Sequence, residues 1–84
     1  MAEDWDAYGY VASSEHRKAV LLQLSESNLI PSKIAKNTSL PLPHVSKTLS
    51  DLQENELVVC LTPDRNKGRV YSTTDKGKWV ADEI

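Results

Sequence analysis

Cysteine is almost missing from this chain of 84 residues: Cys60 stands alone, so no intrachain disulfide can form. It lies in an apolar run and reads as a small buried hydrophobe in a strand, with a redox-sensing thiol as the alternative. Histidine is scarce too. His16 and His44 are far apart, and with one cysteine they make no metal-ligand motif. No metal and no cofactor is therefore expected. Only three glycines are present, which leaves no Gly-rich loop for nucleotide phosphates. No paired carboxylates or Cys–His arrangement suggest a catalytic cleft, so an enzyme is not expected. No apolar run approaches the roughly 20 residues that span a bilayer. Glu3, Asp4 and Asp6 are the wrong charge for a secretory leader, so a cytoplasmic location is the expectation.

What is present is an ordinary folding composition, 39% apolar and 26% charged, in one domain's length. The net charge of -2 argues weakly against a nucleic-acid partner, but the charges are sorted along the chain. Residues 1–8 form an acidic arm, and residues 9–84 form the domain proper. Lys33, Lys36 and Lys47 occupy residues 31–50 without an acid. Asp51, Glu54 and Glu56 follow as an acidic block. Arg65, Lys67, Arg69, Lys76 and Lys78 then outnumber Asp64 and Asp75. The two basic segments make one positive face if the fold brings them together.

Hydrophobic spacing gives the elements. Gly9–Ala12 reads as a short strand. Ser13 or Ser14 caps a first helix over Glu15–Leu24, with Ala19, Val20 and Leu24 on one stripe. Residues 25–28 (SESN) end it. Pro31 suits a first helical position, and a short second helix runs Ser32–Asn37 with Ile34 and Ala35 inward. A third helix starts near Leu42, which keeps Pro43 in its first turn, and runs to about Asn55. Its inward stripe is Val45, Leu49 and Leu52. Leu57–Leu61 reads as a strand, Thr62–Gly68 as a loop, and Arg69–Thr73 as the returning strand. Thr74 or Asp75 caps a last helix that carries Trp79, Val80 and Ile84. Gly77 weakens that helix by about 1 kcal/mol relative to Ala. The fold class is α+β, mainly α, with a helix-turn-helix at its centre.

The third predicted helix carries the functional signal. Pro43, His44, Ser46, Lys47 and Ser50 stand away from its apolar stripe, and none is acidic. Its acids, Asp51 and Glu54, lie toward the C-terminal end, opposite to the polarity a helix dipole prefers. A helix that keeps its N-terminal half free of negative charge is suited to double-stranded DNA, because recognition helices enter the major groove with those residues near base edges. Arg65, Lys67 and Arg69 at the hairpin tip suit phosphate contact, as do Ser32, Lys33 and Lys36 at the second helix.

The stretches VASSEHRKAVLLQL, PSKIAKNTSLPLPHVSKTLSDLQENELV and GRVYSTTDKGK resemble, in order and spacing, the small archaeal winged-helix regulators related to the MarR and ArsR families. The resemblance runs from Val11 to Gly77. It implies a winged helix-turn-helix: a three-helix core, a β-hairpin wing and a C-terminal helix. It also implies a sequence-specific regulator of transcription. Pro43, His44, Ser46 and Lys47 would meet bases or phosphates, and Arg65, Lys67 and Arg69 would be the wing contacts. Many such regulators are homodimers, which makes Trp5, Tyr8, Tyr10, Trp79, Val80 and Ile84 candidate dimer residues, with packing on their own core as the alternative. The cysteine-rich metal site of many ArsR proteins is absent. Glu56 stands where the family usually has glycine, at a cost of about 1 kcal/mol if the backbone is left-handed, so a differently shaped helix exit is expected. The rival function is a winged helix used as a protein-interaction module in a transcription or repair assembly. RNA is a weaker candidate, since Trp5, Tyr8 and Tyr10 lie outside the basic segments and Tyr71 alternates with the hairpin cations.

Overall fold

A computed structural model describes residues 3–84. Five helices and one two-stranded antiparallel sheet follow in the order α1 (Trp5–Ala12), α2 (Glu15–Glu26), α3 (Pro31–Thr38), α4 (Leu42–Glu54), β1 (Val58–Cys60), β2 (Tyr71–Thr73) and α5 (Asp75–Glu83). The first difference from expectation is at the start. Gly9–Ala12 is the second half of a helix, not a strand, and Trp5–Tyr8 of the expected arm are its first half. Asp4 caps this helix by accepting from the Ala7 N–H at 3.0 Å. Ala7 and Val11 then fall four apart and turn inward together, which is helical spacing.

Ser14 caps α2, whose Val20, Leu21 and Leu24 are buried. The helix runs through Ser25 and Glu26, past the expected break. Arg17 ties α2 to α1: its Nη1 donates to the Tyr10 carbonyl at 2.9 Å, and its guanidinium lies 3.8 Å over the Tyr10 ring. The sheet has a third, single-residue member. Leu29 and Tyr71 exchange backbone hydrogen bonds of 3.2 and 2.9 Å in an isolated bridge.

Pro31 opens α3, and Ser39 closes it with a left-handed φ of 62° before the turn into α4. Val45, Leu49 and Leu52 of α4 are buried as expected, and Thr48 joins them. The exit of α4 keeps the ordinary geometry despite Glu56. Leu57 N–H reaches the Leu52 carbonyl (2.9 Å) and Glu56 N–H the Gln53 carbonyl (3.0 Å), with Glu56 at φ 61°. That is a Schellman motif, and Leu52 and Leu57, the residues it links, are both buried. The expected change of shape there is not found.

The strands pair Val58 with Thr73, Val59 with Ser72 and Cys60 with Tyr71. They are shorter than the runs read as strand; Leu57, Leu61, Arg69 and Val70 lie outside them. Cys60 is half-buried and free. Thr74 ties the start of α5 to the turn between α4 and β1 through its hydroxyl. Its hydroxyl accepts from Gly77 N–H at 3.0 Å and donates to the Glu56 carbonyl at 2.7 Å. Gly77 is required by packing: a Cβ there would stand 1.9 Å from the Leu57 carbonyl oxygen. One core results, with Val11, Val20, Leu21, Ile34, Val45, Leu49, Leu52, Leu57, Val58 and Val80 fully enclosed.

Candidate nucleic-acid interface

The helix-turn-helix consists of α3, the Ser39 turn and α4. Both helices begin without a side-chain cap, on Ile30 and Pro41, and both carry proline in the first turn. By contrast, Asp4, Ser14 and Thr74 cap α1, α2 and α5. Neither α3 nor α4 has an acid in its first turn. The N-terminal ends of the two helices therefore keep their positive polarity; the Lys33 and His44 N–H bond the Ile30 and Pro41 carbonyls, which leaves the Ser32 and Leu42 N–H unclaimed.

The hairpin tip is held in shape by its own backbone and side chains. Thr62 Oγ1 accepts from Val70 N–H at 2.9 Å, and Arg65 N–H donates to the Thr62 carbonyl at 3.1 Å. Gly68 takes φ +66°, a left-handed turn residue. Arg69 Nε donates to the Arg65 carbonyl, which fixes one side of a guanidinium and leaves its outer nitrogens free.

This folding brings part of the expected site together. Ser32 from α3, Ser46 and Ser50 from α4, and Asn66, Lys67, Gly68 and Arg69 from the hairpin line one groove of about 550 Å³. Its floor is apolar, with Ile30, Leu42, Leu49 and Tyr71. The rest of the expected set lies elsewhere. His44 and Lys47 face α2 and line a cleft of about 330 Å³ with Ser14, His16, Arg17, Thr48 and Asp51. Pro43 lies exposed outside both hollows, as do Lys33, Lys36 and Arg65. At ~100° per residue, Ser46 and Ser50 occupy one flank of α4 and His44 and Asp51 the other, with Pro43 near the outermost ridge and Lys47 beside that ridge on the His44 side.

Two residues escaped the sequence reading. Asn66 was hidden between cations that drew attention to themselves. His16 gave no local sign, because its partner His44 is distant in sequence. Their rings stack with centroids 5.4 Å apart and planes inclined by 28°.

The charge is sorted in space as well as in sequence. Among the described residues, Asp51 is the sole acid lining either hollow, and it pairs with Lys47 at 3.6 Å. A third hollow, between α1 and α5, holds Glu3, Asp4, Asp6 and Asp75 around Trp5 and Trp79, with Lys76 as its one cation. No group of three or more metal-ligating side chains occurs among the described residues. No described helix is long and apolar enough to cross a membrane.

Three helices, a recognition-helix position at α4 and a hairpin wing beside it define a winged helix-turn-helix. The same fold is found in solved structures. ZitR from Lactococcus lactis, in its wild-type complex with DNA, superposes with a TM-score of 0.73 at 29% identity, over 81% of this chain and 47% of that one. A mutant form of ZitR gives 0.74 and 30%, over 83% and 49%. A MarR family regulator from Neisseria meningitidis gives 0.78 and 25%, over 93% and 56%. This chain spans about half the length of these proteins. No protein-family model and no curated protein matches it.

Proposed function

We propose that this chain binds double-stranded DNA and acts as a regulator of transcription. Helix α4 would lie in the major groove, and the wing would rest on the backbone or in the adjacent minor groove. The observation that carries this reading is the common groove of α4 and the wing tip. Ser46, Ser50, Lys67 and Arg69 line it together, so that one duplex would meet them all. The likeness to the DNA complex of ZitR supports the same reading.

The roles follow from chemistry. Ser46 and Ser50 donate to or accept from base edges. Lys47, with its side chain 79% exposed, donates to guanine O6 and N7 or to a phosphate. Its pair with Asp51 holds it weakly, since exposed pairs four apart contribute only about 0.3–0.5 kcal/mol. Arg65, Lys67 and Arg69 take phosphates from the wing. Ser32, Lys33 and Lys36 take them at α3, whose uncapped N-terminus adds the Ser32 backbone N–H.

Lys47→Glu tests this. The substitution sets an acid on the exposed Lys47 position four residues from the partly buried Asp51, which costs about 0.5 kcal/mol of stability. Its duplex affinity, read by fluorescence anisotropy, is expected to fall at least about tenfold with the thermal midpoint nearly unchanged. Unchanged affinity would remove α4 from the interface.

A further inference from the structure

The cleft on the other flank of α4 has a use that the groove beside the wing does not exhaust. A helix with its side chains is about 10–12 Å across, and the major groove is about 12 Å wide. A helix seated in that groove therefore has a phosphate backbone on each side. Whatever the wing does on the Ser46–Ser50 flank, the opposite flank also faces phosphates. In this chain that flank is built from α2. His16 stands in its first turn, stacked on His44 of α4, and Lys47 lies beside them in the same cleft.

We infer that His16, His44 and Lys47 form a second phosphate clamp, which takes the DNA strand on the side of α4 away from the wing. The inference rests on the duplex-binding reading above and assigns to it a residue of α2. Each imidazole presents at least one N–H to an anion, and the Lys47 ammonium presents three. Stacking restrains both rings before any anion arrives, so less rotamer freedom is lost on contact. His16 and His44 are both exposed, and no protein partner claims their ring nitrogens among the described hydrogen bonds. Arg17 adds positive charge to the wall but spends its Nη1 on the Tyr10 carbonyl, so it serves as a support rather than a contact. Asp51 is the acid a phosphate must displace from Lys47; their contact is 3.6 Å long, with Lys47 exposed and Asp51 partly buried. The ligand class is a DNA backbone phosphate. Its effect is on affinity and on the seating of α4, with no base preference of its own.

The test uses this chain, a fluorescein-labelled short duplex of mixed sequence, and anisotropy at fixed salt. His16→Glu puts an acid into the first turn of a helix, where it favours the fold, so lost binding does not report unfolding. It is expected to weaken duplex binding about tenfold irrespective of base sequence, the effect of one charge-assisted contact. His16→Lys is expected to retain or tighten binding. Lys67→Glu in the wing serves as the reference. If His16→Glu binds as the unsubstituted chain does while Lys67→Glu is weakened, the clamp is overturned and the duplex reading stands. If the unsubstituted chain shows no affinity for the duplex, both fall together.

Discussion

At Glu56 the backbone takes a conformation that suits glycine, and the chain accepts the cost. Its φ of 61° completes the Schellman motif that turns α4 into β1. Removing the side chain relieves about 1 kcal/mol of strain, so Glu56→Gly is expected to raise the urea midpoint without changing the slope of the transition. Gly77 is the converse case. Any Cβ meets the Leu57 carbonyl, and the sheet and α5 have to separate to admit it. Gly77→Ala is expected to cost at least about 2 kcal/mol by the same measurement, against the usual helical preference for alanine. Asp4 carries the one clear pH dependence among the described residues. The Ala7 N–H holds its carboxylate below the ordinary carboxylate range, opposed by partial burial and assisted by Lys76 at 3.5 Å. A lowered value means stability that is complete above the ordinary range and is lost as pH falls through the native value. The stability difference between the unsubstituted chain and Asp4→Asn is therefore expected to shrink in acid, as measured by denaturation at stepped pH.

Elements were readable where their signals are local. Pro31 and Pro43 announced the starts of α3 and α4 because proline costs nothing where the N–H has no helical partner. Thr74 announced α5 by the same kind of reasoning. Gly9–Ala12 misled because aromatic and β-branched residues also suit strands, and the spacing of Ala7 and Val11 was too short a pattern to outweigh them. Leu29 went unread because a single bridge has no periodicity. The wing shows how an irregular element is held. Thr62 Oγ1 is the acceptor for Val70 N–H, and without it that donor has no protein partner. Thr62→Ala is expected to cost about 1 kcal/mol. It is also expected to lower the backbone order parameters of residues 63–69, as seen by amide relaxation.

For the molecule as a whole, the distribution of charge outweighs its sum. A chain of net charge -2 presents acids around the Trp5–Trp79 hollow and cations on α3, at Lys47 of α4 and along the wing. Each phosphate neutralised releases counterions, so the logarithm of affinity falls with that of salt by about 0.9 per contact. Duplex binding is expected to show a slope steeper than about -3, reduced by about one unit in Lys67→Glu. Salt titration of the anisotropy signal measures both, and a flat response would deny the phosphates their part.

The amino-acid order alone settled the helix-turn-helix, the acid-free start of α4 and the cationic wing tip, because period, proline placement and turn chemistry act over a few residues. Which side chains share a hollow was decided only in three dimensions. The rotation of α4 on its core sets Ser46 and Ser50 toward the wing and turns His44 and Lys47 toward α2. The stripe of Val45, Leu49 and Leu52 sets how α4 is rotated, but which neighbour stands on each flank depends on packing with distant elements, and no local pattern encodes it.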